Sequence, residues 1–171
     1  MFIFHVKEVQ GQNGRLLVIG KIFYGTVGCG QYVYMYSRTD GFCRAEVLNF
    51  YTSQEQTILI LNVNYDKSFT CDDVWLVDST PDDFVMVVED VFTITGRGIV
   101  ITGRIKSGCV QVGNTLTIVR KNNVMRDAVV YYGIERDRKI IDYAEAGDSV
   151  GILLKLDKND VSVGDLVCGE F

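Results

Sequence analysis

The sequence has one proline, one histidine and one tryptophan, and none of its five cysteines forms a CxxC pair. A lone His5 cannot build a histidine-rich metal centre, and zinc sites need close Cys or His pairs. His5 also stands in no recognisable nucleophile–base constellation. An odd set of unpaired cysteines (Cys29, Cys43, Cys71, Cys109 and Cys168) reads as free thiols of a reducing compartment. No GxxxxGK[ST] string is present, and the nearest glycine-rich stretch, "GQNGRLL" (Gly11–Leu17), lacks the lysine–Ser/Thr pair that cradles phosphates. No GxSxG occurs either. These absences predict a protein without cofactor, without GTP and without catalysis. An active site of unfamiliar type stays open, because burial of a perturbed carboxylate is invisible in sequence.

Long apolar runs are missing too. The start, "MFIFHVKEV", is too short for a signal-peptide core and has no cleavage site, so a soluble, cytoplasmic protein with no membrane contact is expected. Charge is modest, with a net −5 over 171 residues. Residues 1–83 carry six Lys+Arg against ten Asp+Glu, and residues 84–171 carry eleven against twelve. General nucleic-acid binders are basic, so this balance argues against one while leaving room for a small site that grips an RNA end. The clusters "CDDVW" (Cys71–Trp75) and "PDD" (Pro81–Asp83), and the mixed run "ERDRK" (Glu135–Lys139), read first as solvated turns.

What the chain has in quantity is Val, Ile, Tyr, Phe and Thr, with little alanine, which favours strands. It also repeats itself. "GKIFYGTVGCGQYVYMY" (Gly20–Tyr36) aligns with "GRIKSGCVQVGNTLTIV" (Gly103–Val119), so that Gly20, Gly25 and Gly30 coincide with Gly103, Gly108 and Gly113. "VKEV" (Val6–Val9) falls near "VEDV" (Val88–Val91), "NGR" faces "TGR", Arg44 faces Arg126, and "ILIL" (Ile58–Leu61) answers "VGILL" (Val150–Leu154). The first copy lacks about ten residues matching "KIIDYAEAGD" (Lys139–Asp148). Two all-β units are predicted, residues 1–80 and 84–171, divided at "DSTPDD" (Asp78–Asp83) around the only proline.

In the second unit, strands are predicted at Val85–Val91, Ile99–Ile105, Thr115–Arg120, Met125–Tyr132, Ser149–Lys155 and Leu166–Gly169, with one helical turn at Lys158–Val161. Gly108 and Gly113 fall at reversals where φ > 0 is expected. Gly103, inside a strand, signals a bulge or a close backbone approach. Closing each sheet into a small barrel would remove edges such as "QYVYMYS" (Gln31–Ser37).

The second half resembles the second domain of elongation factor Tu and its relatives, the translational GTPases. The resemblance is carried in order by "EDVF", "GRGIVITGRI", the "GxVxVGN" pattern, "GIERDRKII", "AGDSVGILL" and "VSVGDLVC". It implies a six-stranded β-barrel, and the first half, similar only through the second, would be a diverged copy: two tandem barrels of translation-factor type. In that family the barrel helps hold the aminoacylated 3′ end of transfer RNA. The resemblance then makes Glu89, Asp90, Val91, Phe92, Arg97, Thr102, Glu135, Ser149 and Val150 candidate acceptor-end residues. Ser149 replaces an asparagine of the family, and Arg136–Asp137 replace an apolar pair.

Chemistry supports such a pocket: a glutamate can bind ribose hydroxyls, and an apolar wall such as Ile99 or Leu153 can take a base's face. The bland reading is a barrel rim in which Arg97 pairs with Glu89 or Asp90. In the first copy, Arg15 keeps the arginine, "KEVQ" (Lys7–Gln10) replaces "EDVF", and the counterparts of Glu135 and Ser149 fall at about Ser53 and Thr57. The expected function is non-catalytic binding. The partners expected are a protein or a second copy, docked through "YVYMY" (Tyr32–Tyr36), or alternatively a transfer RNA acceptor end or the ribosome.

Overall fold

The computed structural model describes residues 1–12, 15–38, 43–63, 73–78, 82–122 and 125–169. Pro81 with the centre of the Asp78–Asp83 run, Cys71, and Asn13–Gly14 of "NGR" lie outside them. The chain divides into two compact units, Met1–Ser79 and Thr80–Phe171.

The first unit contains β1 (Ile3–Gln12), β2 (Arg15–Tyr24), β3 (Tyr32–Tyr36), β4 (Cys43–Thr52), β5 (Thr57–Val63) and β6 (Trp75–Val77). These close into an antiparallel barrel in the order β1-β2-β5-β4-β3-β6. Period-two alternation decides what goes inside. On β5, Thr57, Leu59, Leu61 and Val63 are buried, while Ile58, Ile60 and Asn62 face out. Inside, Phe4, Val18, Val33, Met35, Val47, Leu59 and Leu76 share one core. Each such side chain contributes about 1.5–3 kcal/mol by leaving water.

The second unit contains β7 (Val85–Val87), β8 (Asp90–Ile94), β9 (Gly98–Ser107), β10 (Cys109–Gln111), β11 (Thr115–Val119), β12 (Met125–Arg136), β13 (Lys139–Ile141), β14 (Tyr143–Glu145), β15 (Ser149–Leu154) and β16 (Leu166–Gly169). Six of them close a second antiparallel barrel, β7-β9-β15-β12-β11-β16, with the β11–β12 pairing completing the ring. Taken in chain order, both rings run first, second, fifth, fourth, third, sixth. Outside the ring, β8 pairs with β9, β13 with β12, and β10 with β14.

The expected strand Val85–Val91 is therefore two strands. The chain breaks at Val88 and Glu89, whose N–H groups turn to the carbonyls of Asp165 (2.9 Å) and Thr102 (2.8 Å). The expected strand at Met125 runs on to Arg136, bending at Gly133, which has φ +113. β10, β13 and β14 have no counterpart among the expected strands, being three residues each with no alternation to read. The helical turn is a 3-10 turn at Lys158–Asp160.

The aligned glycines hold matching positions in the two rings. A Cβ on Gly103 would lie 2.7 Å from the Val87 carbonyl oxygen, and one on Gly20 would overlap the His5 carbonyl. In both barrels the second strand thus presses on the first strand's backbone, beside the Val6/Glu8 register shift in the first and at Val87, where β7 ends, in the second. Gly25 and Gly108 have φ +73 and +63, and Gly30 and Gly113 have φ +79 and +93.

Packing this close makes two outcomes measurable. Gly103→Ala forces backbone apart and is expected to lower stability by about 2 kcal/mol, within the range for overpacking, read from the denaturant midpoint. Thiol reactivity should follow burial. Cys43 is part-buried, and burial pushes its thiol up to about 11. Cys168 is fully enclosed, and burial, then the charge of Asp83, push it up to about 12. Native alkylation read by peptide mass spectrometry should label exposed Cys29 and Cys109 first, Cys43 slowly, and Cys168 only on unfolding.

Candidate functional site

Strand register brings the candidate residues together on the outer face of the second barrel. Asp90 on β8 opposes Thr102 on β9, Thr102 opposes Gly151 on β15, and Gly151 opposes Glu135 on β12. Ile140 on β13, 68% exposed, continues the row beyond Glu135. Four side chains in this row point outward, and the centre has none. A Cβ on Gly151 would sit 3.1 Å from Val100 Cγ1 and 3.8 Å from both Thr102 Cγ2 and Glu135 Cβ. The missing side chain leaves a shallow dent between an alcohol and a carboxylate, its floor closed by Val100 Cγ1. The next row along the strands is apolar: Phe92 opposes Val100, which opposes Leu153.

The wall is Val100 and Leu153, not Ile99. Ile99 is 1% exposed and belongs to the core, because its parity on β9 is that of Ile101 and Gly103. Val150 also points inward and is 4% exposed, so only its backbone faces a ligand's side. Val91 packs against the same core.

At one end of the sheet, exposed Ser149 opposes Arg104. The Arg104 N–H donates to Glu89 Oε1 (3.2 Å), and its Nε–H donates to the Gly147 carbonyl (3.1 Å). Arg97 lies at the other end, in the β8–β9 turn, where its N–H donates to the Ile94 carbonyl (3.0 Å). Four residues of strand, about 13 Å, separate Gly98 from Thr102. Arg97 accordingly makes no ion pair with Glu89 or Asp90, contrary to the rim reading.

The replaced apolar pair stays out of the row. Arg136 Nη1 reaches Asp148 Oδ2 at 2.7 Å, and Asp148 also accepts from the Glu145 N–H (3.1 Å). That N–H, and then the guanidinium, hold the Asp148 carboxyl below the usual range. Asp137 and Arg138 form the hairpin tip, with φ +52 and +65.

The first barrel shows what the same face looks like when filled. There the equivalent row is Glu8, Ile19, Ile58 and Tyr51. Tyr51 rather than Ser53 stands where Glu135 stands, and Thr57, opposite Gly20, matches Val150 rather than Ser149. Ile58 occupies the place of Gly151. Of the tyrosine face, Tyr32 is half exposed with the Arg44 guanidinium 3.7 Å over its ring, while Tyr36 is fully buried.

Gly151, Val100 and Ile140 were missed by sequence reasoning. Parity outward from Thr102 would have found Val100 and Gly151 once strand pairing was known. No group of three or more His, Cys, Asp or Glu among the described residues could hold a metal ion. No helix among them is long and apolar enough to cross a membrane.

A comparison with protein-family models agrees with this geometry. Residues 98–168 match the family described as elongation factor Tu domain 2. The matched stretch contains Thr102, Glu135, Ser149, Val150 and Gly151, while Glu89 to Arg97 precede it. The second barrel is thus a translation-factor-like module.

The loop 158–165 is anchored behind this face by Asp165, 1% exposed. Its two oxygens accept from the N–H groups of Ser162 (2.7 Å) and Lys121 (3.3 Å), and Arg120 Nε lies 3.5 Å away. Burial raises its carboxyl above the usual value, opposed by those two N–H groups and by the charge of Arg120. Asp165→Asn must turn an amide N–H₂ toward a donor, so a loss of about 1–3 kcal/mol is expected from thermal or denaturant melts. With a raised folded value, the folded state binds the proton more tightly. The proton-linked part of the wild-type advantage over Asp165→Asn should then be largest at acid pH and decline as pH rises past the ordinary aspartate range.

Proposed function

We propose that this chain is a non-catalytic binding protein made of two related translation-factor barrels, and that its second barrel receives the terminal ribonucleoside of a transfer RNA acceptor end. The dent at Gly151 carries the reading. It offers a floor free of its own side chain for a flat group, a carboxylate at Glu135 for ribose hydroxyls, a hydroxyl at Thr102, and Val100 with Leu153 against which a base can lie. The row needs no side-chain readout of base identity, which suits a terminus shared by many RNAs. Ser149, Glu89 and Arg104, at the end of the sheet, are placed for whatever the terminal ribose carries. The match of residues 98–168 to elongation factor Tu domain 2 supports the same assignment.

That the barrels descend from one duplicated unit is supported by their shared ring order and by the three glycine pairs. The first barrel then serves as a partner surface without a nucleoside site, since Ile58 fills the dent there.

Two substitutions test the proposal. Glu135→Ala removes the ribose acceptor. Gly151→Ile fills the dent with the residue the first barrel already tolerates. Both should weaken binding of acceptor-stem mimics at low salt by tenfold or more, about 1.4 kcal/mol. Glu135→Ala should leave the melting temperature little changed, and Gly151→Ile, which must push Val100 aside, is compared at a temperature where its own melt shows it folded. Equal affinity in the wild type and both variants, or no binding by any of them, overturns the assignment.

A further inference from the structure

Beyond Phe92, the outer sheet ends in a cavity of about 450 Å³ whose polar lining is Thr93, Thr95, Arg97, Lys155, Asp157, Lys158 and Asp160. Its walls come from two segments. One is the β8–β9 turn, and the other is the stretch leaving β15 for the 3-10 turn. They meet because Gly98 has no side chain: a Cβ there would overlap the Leu154 carbonyl, so the turn lies flat against the end of β15 and Arg97 comes beside Lys155.

The charges do not cancel. Asp160 is already engaged, with Arg126 Nε at 2.9 Å and the Asp157 N–H at 3.1 Å. Arg97, Lys155 and Lys158 are all exposed, and none has an ion-pair partner among the described residues. Three cations without an ion pair among the described residues and two threonine hydroxyls therefore share the recess with two carboxylates, one of them held by Arg126, in a chain whose net charge is −5.

We infer that this recess holds backbone phosphates of single-stranded RNA, the strand that continues from the nucleoside seated at Gly151; the inference rests on that reading of the dent. Between the two places runs the apolar row of Phe92, Val100 and Leu153, with Phe92 51% exposed and Ile94 38% exposed beside it. An exposed aromatic with flanking cations is the surface on which unpaired bases stack while their phosphates are neutralised. The span of about 13 Å from Thr102 to Gly98 corresponds to roughly four stacked nucleotides at about 3.4 Å each, or fewer when extended. An acidic peptide would satisfy the cations but has no use for the aromatic step or the dent.

The test is the salt dependence of affinity, measured by fluorescence anisotropy on the full chain. The probes are a labelled single-stranded RNA with a free 3′ end and a dinucleotide too short to reach the recess. For a single strand, every phosphate that the protein neutralises steepens the slope of log K against log[salt] by about 0.7. The triple variant Arg97→Ala, Lys155→Ala, Lys158→Ala should therefore have a slope shallower by about 2 on the longer RNA and unchanged on the dinucleotide. Arg97→Lys with Lys155→Arg and Lys158→Arg should keep the wild-type slope, which separates charge from folding. Glu135→Ala should weaken binding with the slope unchanged.

An unaltered slope in the alanine triple variant overturns the phosphate site alone. So does displacement of an acidic peptide, but not of RNA, by its substitutions. A shallower slope in that variant together with undiminished affinity in Gly151→Ile overturns the nucleoside reading and leaves the phosphate site standing. Absence of RNA binding by the wild type overturns both.

Discussion

Both barrels depend on one steric concession: a strand residue without a Cβ where the second strand presses on the first. At Gly103 a methyl group would lie 2.7 Å from the Val87 carbonyl oxygen, and at Gly20 it would overlap that of His5. In the first unit the register shifts just beyond this contact, between Val6 and Glu8. In the second unit the first strand leaves the ring altogether. β9 pairs with β7 through Ile105 and Ser107, and with β8 through Gly98 to Thr102. One long strand therefore serves the closed barrel at one end and an outer sheet at the other. Asp90 and Phe92 reach the candidate face only because of that hand-over.

That outer sheet explains why residues far apart in the chain lie on one surface. Asp90, Thr102, Gly151 and Glu135 span 61 positions of sequence, yet they are successive neighbours across four strands. Antiparallel pairing fixes their spacing without any contact between their side chains. The arrangement is accordingly rigid where it matters, and the polar groups need no hydrogen bonds to one another to stay in place. Two cations near the row are tied elsewhere, Arg136 to Asp148 and Arg104 to the Gly147 carbonyl.

Much of the fold was legible in the sequence. Alternating β-branched residues marked the ring strands, and the glycine ladder marked where they bend, because both signals are local. β10, β13 and β14 were illegible, since three residues carry no period and exist only through their partners. The break at Val88 was hidden for a related reason: it is set by the Asp165 and Thr102 carbonyls, 77 and 13 residues away. The site was half legible. Motif resemblance pointed to Asp90, Thr102 and Glu135, which do share a row. It also pointed to Val150, whose parity turns it inward, and it grouped Arg97 with residues that the strand length keeps about 13 Å away. Spacing along a chain does not tell which face a side chain takes until the register is known.

Glycines in this chain answer to two different demands, and the comparison between barrels separates them. Gly20 and Gly103, Gly25 and Gly108, and Gly30 and Gly113 occur in pairs, and each pair meets the same demand in both rings: crowding by a neighbouring carbonyl or a positive φ. Gly151 meets neither. Its φ is not positive, the atom that a Cβ would crowd is Val100 Cγ1 at 3.1 Å rather than a backbone carbonyl, and Ile58 stands at the equivalent position of the other barrel. A barrel of this topology folds with a large aliphatic side chain there. An aliphatic residue would also cover more of Val100 and Thr102, and glycine weakens a strand through its backbone entropy. The ring topology therefore does not require a glycine at this position, and the one contact it relieves is with the Val100 side chain. What the glycine leaves is a low point between a carboxylate and a hydroxyl, with Val100 beneath it, in a row more polar than its counterpart in the other barrel, and it is on this difference that a ligand is proposed for this face alone.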